Sequence, residues 1–404
     1  MESFRLSGAL RHRNFRLFWT GQIISLTGTW MHQAAQSWLV YELTDSPFFL
    51  GLAGTAASAP ILMFTLAGGV LADRYPKRKI ILTAHIALMA LALTLFALTA
   101  SGIVTVWYVL AIAFLIGTVH AFEIPTRQSF IVELVGKEDL LNGIALNSTA
   151  FHGARMAGPA IAGLVLGVSG PALCFLLNGM SFVAIIAALI KMKFSLDEAQ
   201  AVNKSGIRKS LGEGISYVRS NPTVYTLLIL VGIISFFGFP YISFLPVYAR
   251  DILKTGPQGL GILMGFAGAG AFSGALVLAL RRAVHRRGVV MAIAGITFST
   301  ALLVFALSKT LWLSHAMLFL VGAGALNQIV TANNLLQISV PDHLRGRVMG
   351  FFTTMFLGMA PLGNFTVGIL AHYAGTQNAL LMSASFCLLG SVLILMLKPG
   401  ILKM

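Results

Sequence analysis

Twelve mostly apolar stretches run through this 404-residue chain, each long enough to cross a bilayer as a helix. They fall at roughly 17–42, 48–72, 80–101, 104–126, 143–168, 172–191, 223–248, 258–280, 288–308, 311–336, 348–372 and 378–397. What remains is short loops, a basic N-terminal tail and one connector at 192–221. A water-soluble fold cannot bury so much apolar surface: 57% of residues are hydrophobic and only 10% are charged, against about 25% in a soluble domain. The net charge of +15 lacks the polarity of a disordered or nucleic-acid-binding chain, so no nucleic-acid partner is expected. The first stretch is too long for a cleavable signal and has no small-residue cleavage site. The sequence therefore specifies an all-α membrane protein with twelve transmembrane helices.

The basic residues orient it. With the N-terminus in the cytoplasm, 24 of the 28 Lys and Arg fall on the cytoplasmic side. Arg250, Lys254 and Lys309 fall on the other side, and Arg155 lies within a span. Both termini are expected in the cytoplasm, and the excess charge also favours contact with anionic lipid. Cys174 and Cys387 both lie within spans, where packing is the expected role and no disulfide is implied.

The chain repeats itself. A shift of 205 residues carries Val135, Gly153, Gly158, Gly163 and Gly170 onto Val340, Gly358, Gly363, Gly368 and Gly375. A shift of 210 brings Ser46-Pro47 and Leu50-Gly51 onto Gly256-Pro257 and Leu260-Gly261. Small residues let helices approach closely, but ungapped matches at equivalent places in spans five and eleven point to duplication. The expected organisation is a six-helix bundle at 1–191, a cytoplasmic connector at 192–221 and a second six-helix bundle at 222–404, related by pseudo-twofold symmetry. Ile207, Leu211, Ile215 and Val218 recur in the connector at helical spacing, which predicts an amphipathic helix on the membrane surface.

Between spans two and three stands Gly69-Val70-Leu71-Ala72-Asp73-Arg74-Tyr75-Pro76-Lys77-Arg78-Lys79. Gly69 permits a neighbouring helix to approach, Asp73 can sit against a helix N-terminus, and Arg74 and Arg78 can pair with carboxylates or backbone carbonyls. Such contacts would hold the cytoplasmic side shut. The segment resembles the signature loop of the major facilitator superfamily, with Pro76 where the family usually has Gly. The corresponding loop of the second half, 281–287, keeps the bases and lacks the acid, so an asymmetric gate is expected. Three further segments, Phe122–Gln128, Asn142–Ser148 and Arg155–Gly163, are similar to the exporter branch that includes enterobactin exporters and macrolide efflux proteins. Within the last, Gly158-Pro159 and Gly163 resemble the span-five motif associated with antiporters. The resemblance implies a major facilitator fold whose spans one, four, seven and ten line a central cavity.

Ionisable and amide groups within spans are the candidate working parts. Span one carries His32, Gln33 and Gln36. Span four carries His120, Glu123 and Arg127. Span five carries Asn147, His152 and Arg155, and span ten a stripe of Asn327, Thr331 and Asn334. Glu123 is the one carboxylate placed within a span and away from both charged loops. It can carry a proton, or it can form a fixed ion pair with Arg127 at i, i+4. Arg155 has no carboxylate in its own helix; it can face an aqueous cavity, meet an anionic substrate, or pack against Glu123 or a backbone carbonyl. Trp30, Trp38, Phe151 and Phe356 can supply an adaptable apolar pocket.

No nucleotide-binding Gly-Lys loop and no Cys/His cluster of metal-ligand spacing occurs, so neither an enzyme, a cofactor nor a metal site is expected. The reading is a monomeric secondary active transporter in the bacterial inner membrane, exporting a small amphipathic drug-like compound or siderophore by proton antiport and alternating access. A lipid or metabolite carrier, an importer, or a non-transporting membrane partner are the alternatives.

Overall fold

The computed structural model describes residues 8–193, 207–280, 286–397 and 400. Among these, thirteen long helices follow one another and no strand occurs. They are α1 (Arg13–Thr44), α2 (Pro47–Arg74), α3 (Lys77–Ala100) and α4 (Val106–Val135), then Leu140–Lys191, which Gly170 divides into α5 (140–169) and α6 (171–191). After the connector helix α7 (Ile207–Ser220) come α8 (Pro222–Ile252), α9 (Gly256–Leu280), α10 (Arg287–Leu307), α11 (Leu311–Ser339), α12 (Asp342–Ala374) and α13 (Thr376–Leu397). Ten segments qualify as spans on length and apolar composition, the Leu140–Lys191 segment counting once. Dividing it and adding α1, which is long but interrupted by Gln22, His32, Gln33 and Gln36, makes twelve. In lipid only such self-satisfied backbones are tolerated, and this is why length and polarity decide the fold.

Two elements depart from expectation. Helix α4 runs to Val135, well past the expected end at 126, because its charges are compensated in place: Arg127 by Glu123 and Glu133 by Lys77. Helix α8 contains Pro240 and Pro246, and its hydrogen-bond ladder slips into π turns at Ile234–Gly238 and Tyr248–Ile252.

The chain forms two compact units, each with its own core. One comprises Met1–Thr44, Ala59–Val202 and Thr255–Gly265. Its core joins Phe15, Phe18, Ile81, Leu88, Phe130 and Phe182. The other comprises Asp45–Ser58, Asn203–Lys254 and Phe266–Met404, around Leu227, Val231, Met291, Leu335, Leu336 and Val348. Each unit therefore takes in the first turns of one helix, α9 in the first unit and α2 in the second. The reason is backbone contact. In the first unit a methyl on Gly261 of α9 would stand 2.7 Å from the Cα of Gly163 on α5. In the second, a methyl on Gly51 of α2 would stand 2.7 Å from the Cα of Gly368 on α12.

Other repeat positions share structural roles. Gly170 and Gly375 have φ of 72° and 83°, and each begins the last span of its half, a left-handed turn that favours glycine. Val135 and Val340 are both buried. Trp107 and Trp312, again 205 apart, stand 65% and 72% exposed in the first turns of α4 and α11, as interfacial anchors do.

Helix α7 lies within the connector. Tyr217 and Val218 pack against the core of the second unit, and Glu213 pairs with Arg347. Residues 194–206 of the connector, and 281–285 of the loop corresponding to the signature segment, lie outside the described residues. Both cysteines are buried and free.

Candidate functional site

A small chamber, mostly apolar in its lining but carrying several polar groups, lies inside the first unit, with Leu26, Ile61, Leu88 and Ile124 among its apolar residues. Its wall is made by Gln22, Ser25, Thr29, Trp30 and Gln33 of α1, His85 of α3, and His120, Glu123 and Arg127 of α4, with Phe151 of α5 and Phe182 of α6. Its volume is about 150 Å³, smaller than the roughly 300–1,000 Å³ that encloses a drug-sized ligand. Several waters or a small ion fit such a space; a drug-sized substrate does not.

Glu123 is 3% exposed and is held from its own helix. Arg127 Nε donates to its Oε1 at 2.7 Å, and His120 Nδ1 stands 3.7 Å from its Oε2. The i, i+4 spacing on α4 stacks the two charged groups on one face, and the chamber receives that face. His85, on α3, donates from Nδ1 to the Ile81 carbonyl at 2.8 Å, which fixes its tautomer and leaves Nε2 as the basic nitrogen. Sequence reasoning passed over His85, Gln22 and Ser25. Gln22 Oε1 is buried without a hydrogen-bond partner among the described residues, which suits a chamber that holds water.

The remaining candidates divide. Gln33 and Phe151 line the chamber, whereas His32 turns away: its Nε2 meets Gln36 Oε1 at 3.1 Å and its ring lies 4.8 Å from that of Phe175. Arg155 is not on the chamber wall and, among the described residues, pairs with neither Glu123 nor a backbone carbonyl. Its guanidinium lies 5.4 Å from the Trp30 ring centroid, and Phe151 meets the same ring edge-on at 5.6 Å. Asn147 is half-buried on α5, off the chamber wall.

In the second unit, Asn327 Nδ2 donates to the Ala323 carbonyl at 2.9 Å, Thr331 is buried with its hydroxyl unpartnered among the described residues, and Asn334 is exposed. Phe356 packs between Phe239 and Phe352. The repeat shift of 205 lands Glu123 on Gln328, Arg127 on Ala332 and Arg155 on Ala360. The charged cluster thus belongs to the first half alone.

Residues 7–401 match the family described as transmembrane secretion effector, a major facilitator group. The chain belongs to this family. It is 23% identical to the staphyloferrin A transporter of Staphylococcus aureus, over 89% of this chain and 90% of that protein. It is 27% identical to the multidrug efflux pump Tap of Mycolicibacterium fortuitum, over 88% of each. To macrolide efflux protein A of Streptococcus pyogenes it is 25% identical, over 66% of each. Among solved structures, a bacterial homologue of the human lysosomal transporter Spinster shares the fold with a TM-score of 0.74 at 13% identity, over 100% of this chain and 98% of that one. A transporter of the POT family does so with 0.78 at 12% identity, over 96% of each. The protein is a multi-pass major facilitator transporter and not an enzyme.

Its signature loop differs in detail from the sequence expectation. A methyl on Gly69 would meet nothing within 4 Å, whereas one on Gly68 would stand 2.2 Å from the Ala121 carbonyl oxygen, so Gly68 is the close-approach position. Asp73 and Arg74 are exposed at the end of α2, and among the described residues Asp73 caps no helix. Arg78 does reach backbone carbonyls: its Nε donates to Leu189 O at 2.7 Å and its Nη2 to Ile190 O at 3.0 Å, at the C-terminal end of α6. Gly158 lies against α1, where a methyl would stand 2.6 Å from Trp30 Cβ, and the Pro159 carbonyl lies against Gly261.

Proposed function

We propose that this transporter exports a small amphipathic organic molecule, a drug-like compound or a siderophore, across the bacterial inner membrane in exchange for protons. Relatives named for siderophore transport, multidrug efflux and macrolide efflux support the direction and the substrate breadth. The observation that carries the coupling is Glu123, a buried carboxylate on the wall of a small chamber. Arg127 is its counter-charge in this conformation. A step of the cycle that draws Arg127 away leaves a bare carboxylate in low dielectric, and a proton neutralises it. One state then holds an ion pair and the other a neutral acid, as exchange requires.

The protein works as a monomer by alternating access, with both termini in the cytoplasm. Asp73, Arg74 and Arg78 serve the cytoplasmic gate, with Gly68 in place of Gly69 as its close-approach glycine, and Gly158 and Pro159 help seal the opposite side. The test is efflux from proteoliposomes under an imposed pH gradient, with a panel of dyes, macrolides and catecholates. Efflux should follow the gradient in the wild type and lose that dependence in Glu123→Gln. Unchanged dependence in the variant would remove Glu123 from the coupling, and uptake with the gradient reversed would remove the export reading.

A further inference from the structure

Arg155 poses a problem that the proton-coupling cluster does not solve. It stands at the middle of α5, and Trp30 stands near the middle of α1, so the guanidinium lies at the depth where a charge costs most. Glu123 and Arg127 neutralise each other. Among the described residues Arg155 forms no ion pair and no hydrogen bond, and its guanidinium lies over the Trp30 ring. A cation–π contact offsets only part of the cost of a charge at that depth. The neighbouring side chain one turn earlier, His152, is 9% exposed, and its Nδ1 has no partner among the described residues. Among the described residues no carboxylate pairs with the guanidinium, which belongs to a half-buried residue and keeps its hydrogen-bond donors.

We propose that Arg155, Trp30 and Phe151 form a recognition site for an organic anion that carries a flat ring, such as an aryl carboxylate. The guanidinium supplies the charge and a planar pair of donors that match a carboxylate. Trp30 and Phe151, already edge-on to each other, supply an apolar wall for the ring. Phe151 and Arg155 sit one turn apart on α5, so the ring-binding and anion-binding elements share one helix face. Trp30 also forms part of the chamber wall that carries Glu123, so the anion site and the chamber share this side chain. This narrows the exported substrate from any amphipathic molecule to an anionic one, and it rests on the transporter reading of the same unit.

The test is equilibrium binding to the full-length protein in nanodiscs with three matched probes: 2-naphthoate, its neutral amide, and 2-naphthylmethylammonium. Naphthoate should bind about tenfold more tightly than the amide, and the ammonium more weakly than either. Arg155→Gln should bring naphthoate down to the level of the amide while leaving amide binding within about twofold. Arg155→Lys, which keeps the charge, should retain part of the preference and guards against a folding defect in the glutamine variant. A wild type that binds none of the probes or prefers the amide or ammonium overturns the proposal. So does a naphthoate preference that survives Arg155→Gln. Efflux assays on the same probes separate the two readings: preferential binding without efflux sinks export alone, and efflux of the cation unaffected by Arg155→Gln sinks the anion site alone.

Discussion

Gly163 and Gly261 lie backbone against backbone: a methyl on Gly261 would stand 2.7 Å from the Gly163 Cα and 2.5 Å from the Pro159 carbonyl oxygen. Neither neighbour can rotate aside, because both belong to helix backbone. Gly51 and Gly368 make the equivalent contact in the other unit. Helices in lipid gain little from apolar burial, so such close approach is their main source of association. Gly261→Ala should therefore reduce transport about tenfold or more even though alanine is the better helix former by about 1 kcal/mol. Gly153→Ala on α5, the helix of Gly163, where nothing lies within 4 Å, should keep transport and raise stability slightly. Initial efflux rates and thermal unfolding of the two variants make the comparison. Equal effects would show that the contact is not a constraint.

Arg78 ties the start of α3 to the end of α6 through two carbonyls that the helix leaves unpaired. Arg78→Ala should cost about 1.5–3 kcal/mol, in the range of hydrogen bonds from a charged donor, and Arg78→Lys should recover less than half because one ammonium cannot span two successive carbonyls in the same way. Asp73→Ala, at an exposed position, should leave the unfolding temperature unchanged. Thermal unfolding in detergent at fixed salt reads all three. A lysine variant as stable as the wild type would mean that charge near the helix end suffices.

Asp45, in the turn before α2, pairs with Arg250 at the end of α8, which also holds Asp251. Asp45 is 73% exposed, so solvent and salt screen the pair. Asp45→Asn should cost under about 1 kcal/mol, and the difference should vanish near 1 M salt. Unfolding at low and high ionic strength checks this. A loss that persists in high salt would show that the pair is not screened as its exposure implies.

Span positions were legible because a bilayer allows one backbone solution for a long apolar stretch. The duplication was legible in the glycines, but their contacts were not. The repeat aligns Gly51 with Gly261 and Gly163 with Gly368, while contact pairs Gly51 with Gly368 and Gly163 with Gly261. A sequence match identifies equivalent positions and says nothing about which of them touch. Gly68 and Gly69 differ by one residue, about 100° of helix rotation, and only packing distinguishes them. His32 and Gln36 shared a face as expected, and that nearness made them partners for each other instead of chamber groups. His85 escaped notice because its neighbours Glu123 and Arg127 come from another helix. A lone histidine within an apolar span was the available signal.

Glu123 and Arg127 make the sharpest test of whether charge in this bundle serves stability or work. Removing one partner strands the other: Arg127→Gln leaves a buried, unpaired carboxylate, and about 3 kcal/mol should be lost. Glu123→Gln alone strands the guanidinium at comparable cost. The double variant replaces two charges with two amides that can bond to each other, so it should recover at least half of the single-variant loss. Stability would then be restored while gradient-driven efflux stays abolished, because no carboxylate remains to exchange a proton. Thermal unfolding of the four proteins forms a double-mutant cycle, and proteoliposome efflux on the same four separates the roles. A double variant that regains both stability and gradient dependence would make the pair structural and move the proton to another group, with His85 and His120 on the same chamber wall as the next to examine.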